Sequence, residues 1–332
     1  MMLCRNVNNG KVGSVFLLVA FFVLFGISYV LKSEPNELGW DEEKKYIPFD
    51  TSMQAIKYKR FIADTGPALK IDSDDLYGLF KTMYEKNNLS KIKPSEVVKI
   101  PKIIHVIWIN GEIDDCSVPK ELRKYLFTWV KYHPGWEFKL WTDADVAKMK
   151  LYNQDLYDDA RNFGMKSDIL RCEIIYKYGG VYVDVDLECL KPLDLLHHTY
   201  DFYIGLQPLD SRFLQVGSGI LAAKPGHSIL KHVITTMGEN YKQNKGAPEQ
   251  TGPKHFTRAF FNIVGTLDTI DIAFPATYFY PLGAYEKGIN RKRWEDLGAY
   301  AVHWWGKTWM PPEYRRNEFK KIKNPGLIPD WL

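Results

Sequence analysis

The sequence predicts an α/β protein, an open Rossmann-like sheet with helices on both faces, and three observations carry that expectation. Strand-like and helix-like periods alternate in β-α-β-α order from residue 100. A helical pattern over Ser167–Tyr178 stops at Gly179-Gly180 and switches at once to period two. The strand-like runs are apolar and β-branched, as strands buried under helices are.

Before that domain lies a different kind of segment. Val12–Leu31 is an uncharged run rich in Phe, Leu and Val, as long as a helix needs to cross a bilayer. It reads as a membrane anchor; a cleaved signal peptide competes, but no small-x-small site follows Phe25. Arg5 and Lys11 precede the run, and Lys32 is offset by Glu34 and Glu37, so the positive-inside rule gives a type II topology. Residues 1–11 are then a cytosolic tail, 12–31 the anchor, 32–99 a charged and partly helical stem, and 100–332 the catalytic domain. Cys116, Cys172 and Cys189 would be lumenal, where three thiols cannot all pair within one chain. Asn88-Leu89-Ser90 is an N-glycosylation triplet, usable if this side is lumenal.

From residue 100 each element has a local cause. Ile103–Ile109 is bounded by Pro101 and by Asn110-Gly111, which predicts a buried parallel strand. Ligands bind beyond the C-terminal ends of such strands, so Trp108 is placed to hold a nucleotide base, with core packing as its alternative. Leu122, Leu126 and Val130 repeat at helical spacing until Pro134-Gly135, and Trp136–Trp141 alternates as a second strand. Thr142-Asp143 then caps a helix.

In Ser167–Leu187, Ser167 is the expected N-cap, and Asp168 and Arg171 share a face one turn apart. Val181, Val183, Val185 and Leu187 fall on one side of the following strand, leaving Tyr182, Asp184 and Asp186 on the other. Carboxylates two apart on a strand stand roughly 6.5 Å apart along it, close enough to converge on one divalent cation. Further strands are expected at Phe202–Leu206 and Gly219–Ala223, and a helix after Thr251-Gly252-Pro253 that is either a plain helix start or one whose amides face an anion or a sugar. His303–Trp309 gathers an imidazole, Lys307, the Thr308 hydroxyl and the Trp309 indole within seven residues.

Composition sets limits. With 45% hydrophobic and 25% charged residues over 332 positions, the chain is globular. Its net charge of +4 comes from scattered Lys and Arg, which argues against nucleic acid as a partner. Ten Trp and twenty Tyr suit stacking on sugar faces.

Ile100–His105, Trp141-Thr142-Asp143, Ser167–Arg171, Tyr178–Asp186 and the closing His303–Trp309 together resemble glycosyltransferase family 32 over about residues 100–310. That family contains fungal α-1,6-mannosyltransferases, inositol phosphoceramide mannosyltransferases and bacterial capsular sugar transferases. The resemblance implies a GT-A-like fold, a nucleotide-sugar donor, a glycan or glycolipid acceptor, Mn²⁺ (or Mg²⁺), and retention of configuration. By position it makes Asp168, Arg171, Asp184 and Asp186 the catalytic set. Asp184 and Asp186 would hold the metal with His303, while Trp108, Tyr182, Asp168, Arg171, Lys307, Thr308 and Trp309 would hold the donor. Mannose from GDP-mannose leads, ahead of UDP-galactose, UDP-glucose and UDP-N-acetylglucosamine, and a Golgi (or ER) membrane location follows. A rival of another class is a non-catalytic, lectin-like binder of sugar nucleotides. The closing segment departs from relatives that end in His followed by Ser-Trp, since Thr308 stands where they carry Ser.

Overall fold

The computed structural model describes residues 46–54, 73–111, 118–243, 246–266 and 268–322. The expected anchor at 12–31, together with Cys4 and Cys116, lies outside them; among the described residues no helix is long and apolar enough to cross a membrane.

In chain order the elements are α1 (Phe49–Ser52), α2 (Ser73–Asn87), β1 (Ile103–Ile107), α3 (Lys120–Tyr132), β2 (Glu137–Trp141), α4 (Asp143–Val146), α5 (Gln154–Asp159), α6 (Phe163–Tyr178), β3 (Gly180–Val183), β4 (Leu187–Cys189), α7 (Asp194–Thr199), β5 (Phe202–Leu206), β6 (Val216–Ala223), α8 (Ser228–Gln243), α9 (Ala247–Gln250), α10 (Pro253–Ile263), β7 (Asp271–Phe274), α11 (Arg291–Asp296) and β8 (Ala301–His303). Six strands form one sheet in the order β2-β1-β3-β6-β5-β7, and β4 pairs with β8 in a separate ribbon. Strands β2, β1 and β3 are parallel, because α3 and α6 carry the chain back between them. The short link from β5 to β6 allows only an antiparallel pair, so β6 runs against both its neighbours. Every residue of β6 is buried, as a central strand requires.

The glycine pair between α6 and β3 is fixed by space as well as by conformation. Gly179 has φ 66° and Gly180 φ 92°. A Cβ on Gly180 would stand 2.5 Å from the Ile103 carbonyl oxygen, across the β1–β3 pairing. Beside it, His105 Nδ1 accepts from Trp141 Nε1 at 3.1 Å, so its Nε2–H donates to the Gly179 oxygen at 2.9 Å. Burial pushes this imidazole down to about 4, which keeps it neutral and structural.

Helix α6 begins a turn before the expected Ser167 cap. Asn162 is the N-cap, its side chain accepting from Met165 N. In the 32–99 stretch, α2 buries Phe80 and Tyr84 completely; Phe80 stacks on Phe260 at 6.0 Å and the Tyr84 and Tyr278 hydroxyls lie 2.8 Å apart. The Asn88 amide donates to the Tyr84 and Glu85 carbonyls and accepts from Ser90 N, so the glycosylation triplet ends this helix with its Asn only 2% exposed. Cys172 and Cys189 are both buried free thiols.

Candidate active site

After Val183 the chain leaves the six-stranded sheet and joins the ribbon at Leu187, so Asp184, Val185 and Asp186 form the connecting turn. This corrects the expectation that both aspartates lie on one strand face. The strand stops because the backbone changes partner, from Gly219 (Asp184 N to O, 2.8 Å) to β8, where Leu187 pairs with His303. The turn brings the carboxylates together all the same. Asp184, Asp186 and His303 present ligand-type atoms all within 4.8 Å of one another, with His303 Nε2 3.3 Å from an oxygen of each carboxylate.

The charges here are strongly coupled. Burial works against the His303 imidazolium, yet the two facing carboxylates outweigh it and raise it to about 9. Burial likewise opposes the Asp184 carboxylate, but the Arg171 guanidinium and His303 bring it down to about 2. On α6, Asp168 is lifted to about 6 by burial despite Arg171. Arg171 joins the two acids, reaching Asp168 Oδ1 at 3.4 Å and Asp184 Oδ1 at 3.3 Å. Its fork is oriented by the Ser218 carbonyl (2.7 Å) and the Ser167 carbonyl (3.1 Å), and it lies over the Tyr182 ring at 4.5 Å. The Tyr182 hydroxyl donates to Asp184 Oδ1 at 2.6 Å.

The start of α10 meets an anion, and that anion is Asp168. Thr251 Oγ1 donates to Asp168 Oδ2 at 3.3 Å, and a Cβ on Gly252 would stand 3.1 Å from the same oxygen. On the opposite side the C-terminal segment closes over Asp186. Trp304 N donates to its backbone oxygen at 3.0 Å and Gly306 N to Oδ2 at 2.5 Å. Trp305 (φ 54°) and Lys307 (φ 49°) are held left-handed, a conformation that costs non-glycine residues of order 1–3 kcal/mol each. Trp304 faces away, bonding Glu188 and stacking on Tyr125.

All ten residues singled out above as catalytic, metal or donor groups line one cavity of about 250 Å³. Asn162, Ser218, Gly219 and Tyr280 line it too and escaped the sequence reading. Gly217-Ser218-Gly219 within an apolar run was a usable signal, since glycine inside a strand marks a close approach. A Cβ on Gly219 would lie 2.9 Å from Asp184 Oδ2, and one on Gly217 2.6 Å from the Tyr280 ring. Asp143 is not the cap of α4, a role taken by Thr142; its carboxylate accepts from Asn110 N at 2.9 Å and fixes the loop after β1.

Residues 119–203, which include α6 and the Asp184-Val185-Asp186 turn, match the family described as "Glycosyltransferase sugar-binding region containing DXD motif". An uncharacterized glycosyltransferase of Acanthamoeba polyphaga mimivirus is 29% identical over 222 residues, 64% of this chain and 84% of that protein. Inositol phosphoceramide mannosyltransferase 1 of Schizosaccharomyces pombe is 29% identical over 154 residues, 44% of this chain and 45% of that protein. The initiation-specific alpha-1,6-mannosyltransferase of Candida albicans is 35% identical over 102 residues, 28% of this chain and 26% of its own. The chain thus spans less than half the length of these two fungal relatives. Among solved structures, the PaToxG glycosyltransferase aligns with TM-score 0.44 and 18% identity, covering 59% of this chain and 79% of that one. Residues 119–203 carry the acidic turn and the helix that feeds it, and over this stretch the chain is similar to the DXD-motif glycosyltransferases.

Proposed function

We propose that the protein is a retaining hexosyltransferase that moves mannose from GDP-mannose to a glycan or glycolipid acceptor, using a divalent cation. The observation that carries this reading is the cluster of Asp184, Asp186 and His303 beside Arg171 in one cavity. Two carboxylates and an imidazole make a donor set suited to Mn²⁺ or Mg²⁺, and the glycines at 219 and 306 leave free the space beside the carboxylates that a Cβ would fill. Bound there, the cation would supply Lewis-acid stabilisation of the negative charge that develops on the diphosphate leaving group.

The chain's own residues do the rest. Arg171, with its fork oriented, and Lys307, half-buried at the cavity wall, add positive charge toward the diphosphate. Burial lowers Lys307, and Asp210 partly restores it. Asp168 accepts from donor-sugar hydroxyls while Thr251 holds its second oxygen. Trp108, Tyr182, Thr308 and Trp309 complete the donor pocket. We favour same-face displacement over a covalent sugar intermediate. Mannose is supported by the names of the fungal relatives; UDP-galactose, UDP-glucose and UDP-N-acetylglucosamine are the alternatives. The apolar run at 12–31 supports a Golgi (or ER) type II enzyme with a cytosolic tail at 1–11, a stem over 32–99 and a lumenal catalytic domain over 100–332.

A thermal-shift panel of these four sugar nucleotides with Mn²⁺ tests the donor. A ligand at 100 times its Kd adds about 2.7 kcal/mol, or roughly 5–10 °C for a domain of this size. GDP-mannose should give the largest shift. A larger shift from a UDP-sugar would replace mannose, and no shift from any donor would remove the donor reading.

A further inference from the structure

Two buried N–H groups lining the cavity have no hydrogen-bond partner among the described residues, Asn162 Nδ2 and Trp108 Nε1. A sealed, unpaired donor costs about 1–3 kcal/mol, so such groups are rare and call for a reason. Asn162 is only 1% exposed, and its amide orientation is fixed, because Oδ1 accepts from Met165 N at 3.0 Å to cap α6. Capping therefore explains the oxygen and leaves the NH₂ unexplained.

The surroundings indicate what would pair with it. A Cβ on Gly164 would lie 3.1 Å from Asn162 Oδ1 and 3.0 Å from the Trp309 ring, and one on Gly111 would lie 3.4 Å from the Phe163 ring. The loop after β1, the start of α6 and the C-terminal segment thus meet around Phe163 and Trp309, and both rings line the cavity together with Trp108. The same cavity is lined by the acidic cluster and Arg171. A nucleotide sugar has one flat heterocycle on a ribose, one anionic linker and one terminal sugar. The heterocycle suits the aromatic rings of the lining, and both unpaired groups there are donors.

We propose that Asn162 Nδ2–H, assisted by Trp108 Nε1–H, reads the exocyclic oxygen at C4 of uracil or C6 of guanine in the donor's nucleobase. The pocket then accepts keto bases, uracil or guanine, and rejects cytosine and adenine, which present an amino group at the corresponding position. This rests on the nucleotide-sugar reading above and adds to it the base-reading residue.

Asn162→Asp separates base reading from capping. Aspartate keeps an oxygen for Met165 N and suits a helix N-terminus, so the fold and α6 are retained. It replaces the free donor with an acceptor. In calorimetric titrations of the full-length protein with UDP, GDP, CDP and ADP in Mn²⁺, the wild type should bind UDP or GDP and discriminate against CDP and ADP. Asn162→Asp should lose ~10-fold or more in affinity for the keto nucleotide, and its ratio to the amino counterpart should move toward the amino base. Trp108→Phe keeps the ring, removes its N–H and should weaken the same nucleotide several-fold, which provides the test if Asn162→Asp fails to fold. Wild-type affinity and selectivity in a folded Asn162→Asp, or in Trp108→Phe if the first does not fold, would overturn the inference while leaving the donor reading intact. A wild type that binds none of the four nucleotides would instead overturn the donor reading.

Discussion

Arg171 does more than the sequence assigned to it. The helix spacing placed it beside Asp168, and the structure adds a contact to Asp184 across the start of the acidic turn, so the helix and turn acids form one network. The residue types were legible because acids, a guanidinium and an imidazole are conspicuous. What went unread was the empty space they need, although the glycines inside the apolar run around Ser218 signal it. Gly219 bears no functional group, yet a Cβ there would lie 2.9 Å from Asp184 Oδ2 and 3.2 Å from the His303 ring. Gly219→Ala should therefore fold, since β6 is extended at this position, but push the carboxylate off its place. We expect donor hydrolysis to fall ~10-fold or more with Tm nearly unchanged, because sites held this closely lose rate steeply on small displacements. Wild-type turnover in Gly219→Ala would show that the carboxylate tolerates the shift.

Helix-Gly-Gly-strand was readable at the scale of the element because two glycines and a change of period coincide. The turn after Val183 was hidden, since a strand leaving one sheet for another keeps the same alternating sequence. The start of α6 was hidden for a different reason. Most of its residues from Met165 to Ile175 are buried, so no polar face marks where it begins. At the end of α2 the structure gives a prediction the triplet alone could not. All of the Asn88 amide is engaged with the backbone and Ser90, so a glycan there would cost the helix end its bonds. Protein expressed through the secretory route should show no mobility change at this site on peptide-N-glycosidase F treatment. A glycopeptide carrying Asn88 in folded, active enzyme would contradict that.

For the whole molecule, the α/β sheet and its main elements followed from period and punctuation, but its stability at low pH rests on histidines that the sequence left anonymous. His105, His197 and His255 are buried and held at about 4, 3 and 4 by desolvation. Their folded values lie below the unfolded value of about 6.5, so the unfolded chain takes up protons first and stability falls as pH drops below that point. Asp168, raised to about 6, works in the opposite direction between about pH 6 and 4. The three histidines outweigh the one carboxyl, so stability falls as pH drops through that window. Denaturant titrations from pH 7 to 4.5 should show this slope, and a flat profile would mean the imidazoles titrate as if exposed.

The central claim, that this chain cleaves a nucleotide sugar with a cation held by Asp184, Asp186 and His303, is tested most directly by donor hydrolysis. Purified protein would be assayed with Mn²⁺ and with EDTA, beside Asp184→Asn and Asp186→Asn. The account predicts turnover that EDTA abolishes and Mn²⁺ restores, with each variant reduced ~100-fold or more under saturating metal. Full metal-dependent turnover in both variants would contradict it.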